Sequence, residues 1–322
     1  MMLCGPRRSI LPPRALALAA CALLAACNPP APPPTGHGTM PRPRPASLRV
    51  PVPESPEAQA MRAYYARIQT DLLAQGLLRT DGGGRDTPYT DRMLAENFIR
   101  IALYDEYERA DSGFAQRETE SRLRRWEAPV KVGLSFGASV PEERRATDRA
   151  RIASYLARLA RITGHPIGLS DSGANFFLHI VAEDERRELG PAISSALPGL
   201  SATEVAGITE MPTSTYCLVY ALSDDETSVY TRAFAVIRAE HPDLLRLSCL
   251  HEELAQGLGL ANDSPAARPS IFNDDEEFAL LTTQDELLLR MLYDPRLRPG
   301  MTVREAQPIV EAIAYELLGG ES

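Results

Sequence analysis

The sequence predicts an α+β protein built around a mixed β-sheet, and three observations support this fold class. The 322 residues, 44% of them apolar, are enough to bury a sizeable core. Residues 57–78 carry apolar side chains at spacings of three and four, which predicts an amphipathic helix. After residue 126, short apolar or alternating segments alternate with helical patterns, so we expect a mixed sheet with helices packed on one of its faces.

The predicted elements divide the folded body into two parts. Residues 57–125 form an N-terminal helical segment, in which the first helix ends at the Asp-Gly-Gly-Gly sequence of 81–84 and the second covers 94–107. The second part, residues 126–322, contains the sheet. Its predicted strands are 129–136, 166–169, 175–181, 215–222 and 230–237, and its predicted helices are 142–162 and 242–257.

The charge of the chain argues against two classes of partner. There are 34 lysines and arginines against 43 aspartates and glutamates, a net charge of -9, and the first 26 residues contribute three arginines and no acidic residue. The rest of the chain is therefore more acidic still, and an acidic body repels phosphate backbones and anionic lipid headgroups. We expect no nucleic-acid partner and no polybasic adhesion to a membrane. No apolar run approaches the length of about 18 residues that a membrane-spanning helix needs.

The N-terminus has the pattern of a bacterial lipoprotein signal peptide. A basic region that ends at Arg14 is followed by a short apolar region and then by Cys27. Residues 24–27 resemble the lipobox, which implies a signal peptide over residues 1–26 and a lipid on Cys27. Cys21 fits the same pattern but leaves a shorter apolar region, and an ordinary secretory signal with an Ala-x-Ala-like cleavage site is the other alternative.

Residues 27–56 are predicted to be an extended tether. Eleven prolines and no aromatic residue occur between positions 28 and 56, so this segment cannot bury a core. With a lipid on the cysteine, the folded body would be anchored in the cell envelope and would face the periplasm. An Asp directly after the lipidated cysteine would resemble an inner-membrane retention signal. Residue 28 is Asn, which favours the outer membrane.

Cys217 and Cys249 are predicted to form a disulfide. Once Cys4, Cys21 and Cys27 are assigned to the leader or the anchor, these two remain as an even pair. An oxidising compartment favours a bond between them, and the alternative is a pair of buried free thiols.

An altered version of a zinc-binding motif lies on the predicted helix before residue 257. The HExxH pattern fails when it is started at His251, because the second ligand position is then Ala255. The fit is better when the pattern is started at Glu252. Residues 252–262, with the pattern Glu-Glu-x-x-Gln-x-x-Gly-x-x-Asn, then resemble the HExxHxxGxxH motif of the metzincin metallopeptidases. Glu253 and Gly259 match that motif. The residues at its three histidine positions are Glu252, Gln256 and Asn262.

Downstream residues extend this resemblance. The segment around Phe272 looks like the Met-turn of matrixin-like metzincins, with this phenylalanine in place of the methionine. Residues 281–285 and 289–293 are similar to the beginning and end of their last helix. The resemblance covers about 129–293. It implies a metzincin-like mixed sheet, an active-site-type helix and a small helical C-terminal subdomain, so that 126–322 would be a degenerate metzincin-like domain. The whole chain also resembles an uncharacterised proteobacterial family of lipoproteins with a domain of unknown function.

The donor atoms at the motif positions do not suit a catalytic zinc ion. Zinc favours neutral imidazole or thiolate, and a catalytic site needs three protein ligands. Gln256 and Asn262 offer only neutral amide oxygens, which suit a hard cation if they suit any metal. We therefore expect no metal ion and no other cofactor. Glu253 keeps the position of the general base, but it has no metal-activated water to act on.

The helical geometry places the motif residues opposite a buried stripe. At about 100° per residue, Glu252, Glu253 and Gln256 share one face of the helix, and His251 lies nearer the stripe, so it should be a packed histidine. The acidic run at 274–277 is expected to be a solvated loop and not a calcium site. The leucines of the stripe are Leu247, Leu250, Leu254 and Leu258, and the other histidines, also expected to be structural, are His37, His165, His179 and His241.

Three functions remain open from the sequence. The leading hypothesis is an envelope lipoprotein with a catalytically inactive metzincin-like domain that binds an envelope protein or peptide in the remnant cleft. The second is an active metal-dependent hydrolase or peptidase with a divergent site that includes Glu252, Gln256, Asn262 and Asp263. The third is a purely structural envelope scaffold. The residues assigned to the remnant cleft are Glu252, Gln256, Gly259, Asn262, Asp263 and Phe272.

Overall fold

The α+β fold class is confirmed by a five-stranded mixed sheet that several helices surround. The computed structural model describes residues 53–110, 113–273 and 275–319, so the predicted signal peptide, Cys27 and nearly all of the tether lie outside the described residues. The strands in this part of the chain are β1 (Tyr104–Ala110), β2 (Gly113–Glu120), β3 (Val130–Phe136), β4 (Ile167–Leu169), β5 (Phe176–Val181), β6 (Cys217–Ser223) and β7 (Tyr230–Arg238). The helices are α1 (Pro56–Ala74), α2 (Asp91–Ala102), α3 (Glu142–Thr163), α4 (Glu183–Arg187), α5 (Gly190–Ala196), α6 (Ala202–Thr209), α7 (Asp243–Gln256), α8 (Thr283–Leu292) and α9 (Val303–Leu318).

The sheet consists of four parallel strands and one antiparallel strand at its edge. Its order is β4-β3-β5-β7-β6, and only β6 runs antiparallel to its neighbour, β7. All five strands and both helices predicted for this region are present, with small differences at their ends, where assignments vary by a residue or two. The strong apolar patterning of these segments therefore sufficed to locate them.

Helices cover both faces of the sheet, so the expectation that they pack on one face is wrong. The main core lies between one face and the helices α3, α7 and α8. A second core on the other face joins α5 and α6 to apolar side chains of β5 and β7, among them Val181, Phe234 and Val236. Parallel strands in the interior of a sheet are apolar on both faces, and each face needs its own cover.

The N-terminal segment contains a hairpin that the sequence pattern did not predict. The helix α2 starts after the N-cap Thr90, whose side chain accepts a hydrogen bond from the backbone N–H of Met93 at 3.2 Å, and it ends at Ala102. The predicted helix over 94–107 is therefore wrong beyond residue 102. From Tyr104 the chain enters β1, which pairs antiparallel with β2. Pairing with the next strand in the chain overrides the weak helical preference of residues 103–107.

The C-terminal helices pack against the N-terminal helix α2. Buried residues of α9, including Ala306, Val310 and Ile313, join the same core as Leu94 and Phe98 of α2. This contact closes the body of the protein around the main core. None of the helices in the described part of the chain combines the length and the apolar character that a membrane-spanning segment requires.

A disulfide between Cys217 and Cys249 is present, as predicted. It joins the first residue of β6 to the middle of α7, with a Cα–Cα distance of 5.8 Å and a sequence separation of 32. A crosslink over a loop of this length stabilises a fold by roughly 3 to 4 kcal/mol in the chain-entropy model. The edge strand is thus tied covalently to the helix that carries the motif.

A buried cluster of charged residues fixes the segment that leads into β6. Both guanidinium groups of Arg186 and Arg238 are paired with the carboxylate of Glu183, and all three side chains are nearly inaccessible. The same arginines donate to backbone carbonyls at the end of α6 and just after it, such as Ile208 at 2.9 Å and Met211 at 2.9 Å. Opposite charges and carbonyl acceptors together satisfy groups that would otherwise be costly to bury.

Glu240 lies next to this cluster and gives the fold a dependence on pH. Its side chain is fully buried, and its Oε1 accepts a hydrogen bond from the backbone N–H of Glu183 at 2.6 Å. Its Oε2 has no hydrogen-bond partner within the described residues. Burial raises the pKa of Glu240 from 4.5 to about 7, because the charged form loses its hydration.

We predict that replacement of this carboxyl by an amide, Glu240→Gln, removes part of the pH dependence of stability. Because the pKa of Glu240 is higher in the folded state, its contribution is fully present below pH 4.5 and is lost as the pH rises through about 7. The loss amounts to about 3 kcal/mol at most. The free energy of unfolding of the variant, relative to that of the wild type, should therefore increase between pH 5 and pH 8.

The measurement is urea unfolding of both proteins across this pH range. Glu188→Gln is the matched control, because Glu188 is an exposed glutamate at the end of α4 and its replacement should leave the profile unchanged. A constant difference between Glu240→Gln and wild type at all pH values would contradict the prediction.

Candidate functional site

The helix α7 carries the altered motif and is buried on most of its surface. At its N-terminus the side-chain oxygen of Gln69 accepts a hydrogen bond from the backbone N–H of Leu245 at 3.0 Å, which satisfies one of the donors that a helix start leaves open. The predicted stripe is buried at Leu250, Leu254 and Leu258, whereas Leu247 is half-buried. Nine residues of α7 are buried, so the helix is enclosed well beyond this stripe.

The structure separates Glu253 from the other residues of its predicted face. Glu253 is only 3% exposed, whereas Glu252 and Gln256 are half-buried. The expectation that the three residues share one face away from the core therefore fails for Glu253. Helical periodicity gives the direction of a side chain, but it does not show what packs in that direction.

Gln256 and Asp263 are brought together. The side-chain amide of Gln256 donates a hydrogen bond to Oδ1 of Asp263 at 3.1 Å, and both residues are half-buried. Gln256 ends α7, and Asp263 follows after a short irregular segment. These two residues of the predicted cleft thus form a polar pair beside the end of the helix.

Asn262 is used to hold the end of another helix. Its side-chain amide donates to the backbone carbonyl of Arg100 at 2.9 Å, and its backbone N–H donates to the carbonyl of Ile101 at 3.0 Å. Both carbonyls belong to the last turn of α2, where helical geometry leaves carbonyl groups without an N–H partner inside the helix. Asn262 is 1% exposed, so its side chain is part of the packing between α2 and the motif segment.

The backbone that follows α7 passes very close to the segment before β3. The indole N–H of Trp126 donates to the carbonyl of Gly257 at 2.8 Å, and the hydroxyl of Tyr293 donates to the carbonyl of Leu258 at 3.1 Å. Gly259 has φ +130°, and a Cβ at this position would lie 2.3 Å from the carbonyl oxygen of Arg124. The glycine of the motif is therefore required by backbone geometry and close approach.

Phe272 lies in a turn that one buried carboxylate organises. The side chain of Phe272 is completely buried. Asp285 accepts hydrogen bonds from the hydroxyl of Ser270 at 2.6 Å, from the backbone N–H of Ile271 at 3.1 Å and from the backbone N–H of Thr282 at 2.8 Å. Burial raises the pKa of Asp285, although these hydrogen bonds act in the opposite direction.

The sequence pattern predicts one part of the role of Asp285 in this turn, its contact with Thr282. Thr282 and Asp285 have the spacing of a capping box, in which an N-cap side chain and the third helical residue bond to each other's backbone N–H. The contacts of Asp285 to Ser270 and Ile271, in contrast, are long-range and have no local signal.

His251 is a packed histidine, as expected. Its ring stacks on Tyr155 with 3.9 Å between ring centroids, and its Nδ1 accepts a hydrogen bond from the backbone N–H of Leu281 at 3.0 Å. Burial and the nearby Arg158 lower its pKa to about 3, so the ring is neutral. His179 stacks on Phe234 in the same manner, and burial lowers its pKa to about 4.

Two further histidines also have partners within the fold. The Nε2 atom of His165 lies 2.8 Å from the carbonyl oxygen of Ala128. The ring of His241 is fully buried, 4.4 Å from the ring of Tyr65. His37 lies outside the described residues.

The donor set of the motif segment does not fit a zinc ion. No group of three His, Cys, Asp or Glu side chains that could hold a metal ion occurs in the described part of the chain. The amide groups of Gln256 and Asn262 already donate to Asp263 and to α2, which fixes their orientation. Neutral amides are poor zinc ligands in any case.

The acidic run beyond the turn is solvated and paired with arginines over the residues described. Asp275 is exposed, and Glu277 is paired with Arg79 at 2.9 Å and with Arg268 at 2.6 Å. These arginines hold the pKa of Glu277 below its usual range. Asp274, the first residue of the run, lies outside the described residues.

A surface groove lies between α2 and α9, away from the motif. It has a volume of about 690 Å³, and its lining includes Ala95, Ile99, Tyr104, Gln307 and Glu311. None of the predicted cleft residues lines it. The sequence analysis did not identify this groove, because the two helices that form it are far apart in the chain.

The glycine requirement after α7 gives a direct test. We predict that Gly259→Ala lowers the free energy of unfolding by about 2 kcal/mol or more, because the added Cβ collides with the Arg124 carbonyl and the positive φ disfavours alanine. Gly207→Ala is the matched control. Gly207 is an exposed residue inside α6 with open space around it, so alanine should stabilise the protein by about 0.5 to 1 kcal/mol. Urea unfolding measures both, and equal stabilities of the two variants would refute the argument.

Comparison with known proteins relates this chain to a protein family. Residues 91–312 match a family described as a protein of unknown function, DUF2927. No curated protein and no solved structure matches the chain. The matched region begins at the first residue of α2 and ends inside α9, so it contains the whole sheet and the motif segment, while α1 lies outside it. The chain therefore belongs to the DUF2927 family.

Proposed function

We propose that this protein is an envelope lipoprotein in which a metzincin-like domain without catalytic activity binds an extended segment of another protein or peptide. The binding site would be the outer edge of β6, next to α7. Three features of the described residues support this proposal: the state of the motif residues, the unpaired edge of the sheet and the position of the disulfide.

The motif residues serve the fold at the positions where the resemblance would place catalytic groups. Asn262 holds α2, Gly259 allows a close backbone approach, and Phe272 fills the core. Glu253 is almost inaccessible to a substrate at 3% exposure. A hydrolase would need a general base and a polarising group that both reach the scissile bond, and this arrangement supplies neither in an open position.

The observation that carries the binding proposal is the outer edge of β6. This strand pairs with β7 on one side, and no strand in the described part of the chain pairs with its other side. Its seven residues are all half-buried and include no charged residue and no proline. Proteins usually protect such an edge with lysine, proline or a covering element, and an open edge accepts an added strand.

The resemblance places β6 where metzincins have the edge strand above their cleft. The bond from Cys217 to Cys249 holds this strand close to α7. An edge strand held in this way accommodates a single extended chain more readily than a folded surface. Main-chain hydrogen bonds would then supply affinity, and side chains of the half-buried strand would supply selectivity.

The experiment selects ligands from a library of random peptides long enough to span β6, with the immobilised full-length protein as bait. A selected peptide is then synthesised in two N-methylated forms, each methylated at alternate residues. We expect one form to bind about tenfold more weakly or worse, because the N–H groups that donate to β6 are lost, and the other to bind as the parent does. Titration calorimetry provides the dissociation constants.

Two outcomes would overturn the proposal. Equal affinities of both methylated forms would exclude strand addition. Zinc-dependent cleavage of the selected peptide, together with a zinc-dependent rise in melting temperature, would instead favour the active hydrolase, because a tightly bound ion stabilises the folded state by mass action.

We also propose that Cys27 carries the lipid that anchors the protein in the envelope. The support is the sequence pattern of residues 24–27 and the proline-rich segment that follows it. Metabolic labelling with a fatty-acid analogue should mark the wild type and should not mark Cys27→Ala. Cys21→Ala is the matched control and should keep the label. Persistent labelling of the Cys27→Ala protein would contradict this assignment.

A further inference from the structure

His241 is a buried histidine with an unusual set of contacts. Its ring is completely inaccessible and packs edge-to-face against Tyr65, with 4.4 Å between ring centroids, and more distantly against Tyr216. Its Nδ1 atom lies 3.7 Å from the sulfur of Cys249. Its Nε2 atom has no hydrogen-bond partner within the described residues. Buried polar atoms are nearly always paired, so this arrangement requires an explanation.

The contacts of the ring select one of its two neutral forms. A neutral imidazole has a single N–H donor, and burial of a donor without a partner is costly. Only the tautomer with hydrogen on Nδ1 directs that donor at a possible acceptor, the sulfur of Cys249. The ring therefore offers a hydrogen bond to one sulfur of the disulfide.

The two sulfur atoms of the disulfide differ in accessibility. Cys217 is half-buried and lies at the start of the edge strand β6. Cys249 is 2% exposed and lies inside α7, next to His241. Of the two cysteines, Cys217 is therefore the one more open to an external thiolate, and Cys249 is then the leaving group.

The surroundings of His241 favour negative charge on that leaving group. Burial and the guanidinium groups of Arg238 and Arg246 lower the pKa of His241 well below 6.5. The same positive charges stabilise a thiolate at Cys249, which lies within contact distance of the ring. The carboxylates that face these arginines are Glu183 on Arg238, and Asp148 and Asp243 on Arg246, and they reduce this effect without cancelling the contribution of the N–H donor.

We propose that the Cys217–Cys249 bond and His241 form a site of thiol–disulfide exchange that reacts with a dithiol in the native protein. His241 acts by donating a hydrogen bond to the Cys249 sulfur as the bond between the two sulfurs breaks. This assignment does not depend on the peptide-binding function.

The reaction balances with a dithiol as the reductant. One thiol of the reagent loses its proton, and its sulfur attacks the sulfur of Cys217, so that a mixed disulfide forms and Cys249 leaves as a thiolate. The second thiol of the reagent then loses its proton and attacks the mixed disulfide, which releases Cys217. The two protons that the reagent loses are matched by two that Cys217 and Cys249 gain, and the reagent ends as a disulfide.

Reduction would release the first residue of β6 from α7. The strand would then be held only by its pairing with β7 and by packing against the cores. This consequence rests on the proposed function, because it would change the position of the strand edge at which a peptide is proposed to bind.

The test is the rate at which dithiothreitol reduces the bond in the full-length protein, followed by differential alkylation and mass spectrometry of the Cys217 and Cys249 peptides. The rate is measured at several urea concentrations below the unfolding transition. A reaction of the native state should show almost no dependence on urea, whereas a reaction that requires global unfolding should accelerate with the slope of the unfolding equilibrium.

His241→Phe tests the role of the imidazole. It retains an aromatic ring against Tyr65 but has no donor, and we expect reduction about tenfold slower or more, as for loss of a hydrogen bond to a charged group. His241→Asn places an amide donor near the position of Nδ1 and should restore most of the rate, which a purely structural role of the ring would not predict. His179→Phe is the matched control, a half-buried histidine that stacks on Phe234 on the other face of the sheet, and should leave the rate unchanged.

Two results would overturn the exchange site: a wild-type rate that follows global unfolding, or a His241→Phe rate equal to that of wild type. If His241→Phe does not fold, His241→Leu, which also lacks a donor, takes its place in the comparison with His241→Asn, and the urea dependence of the wild type still decides whether the native state reacts. No peptide is present in these assays, so their failure would leave the binding proposal intact. Affinities of a selected peptide for the oxidised and reduced protein test the link between the two.

Discussion

The enclosure of α7 is the constraint on which the rest of this structure depends. The helix packs against the sheet and against neighbouring helices, and its buried surface includes polar side chains as well as leucines. Each polar group therefore needs a partner inside the protein. Arg246 has Asp148, and His251 has Tyr155 and the backbone of Leu281. The positions of α3 and of the turn before α8 follow from these contacts.

The sequence predicted the sheet well and its surroundings less well, for physical reasons. Strands such as β5 and β7 are long apolar runs, and α3 has a clear period, so local pattern located them. The short helices between Glu183 and Thr209 have little periodic signal, and their place on the second face follows only from the apolar side chains that the sheet presents there. The α9 helix continues through Pro308, where a local rule would end it.

The candidate site shows the same division between local and long-range information. The motif resemblance indicated which residues to consider, and the absence of histidine at positions 252, 256 and 262 is evident from the sequence alone. The roles of these residues in the fold are not, because Asn262 bonds to a helix 162 positions earlier in the chain and Gly259 is constrained by the backbone of Arg124. Both positions are therefore contacts between distant segments, and such contacts leave no trace in local spacing.

The covalent link between strand and helix also bears on the order in which the protein assembles. β6, β7 and α7 follow one another directly, so both cysteines belong to a single contiguous stretch of the chain. The parallel pairings of β3 with β5 and of β5 with β7 join segments much farther apart and must wait for their intervening helices. Oxidation needs only the hairpin and the helix. It can therefore occur independently of closure of the sheet, and the free side of β7 then offers β5 a pre-formed edge on which to pair.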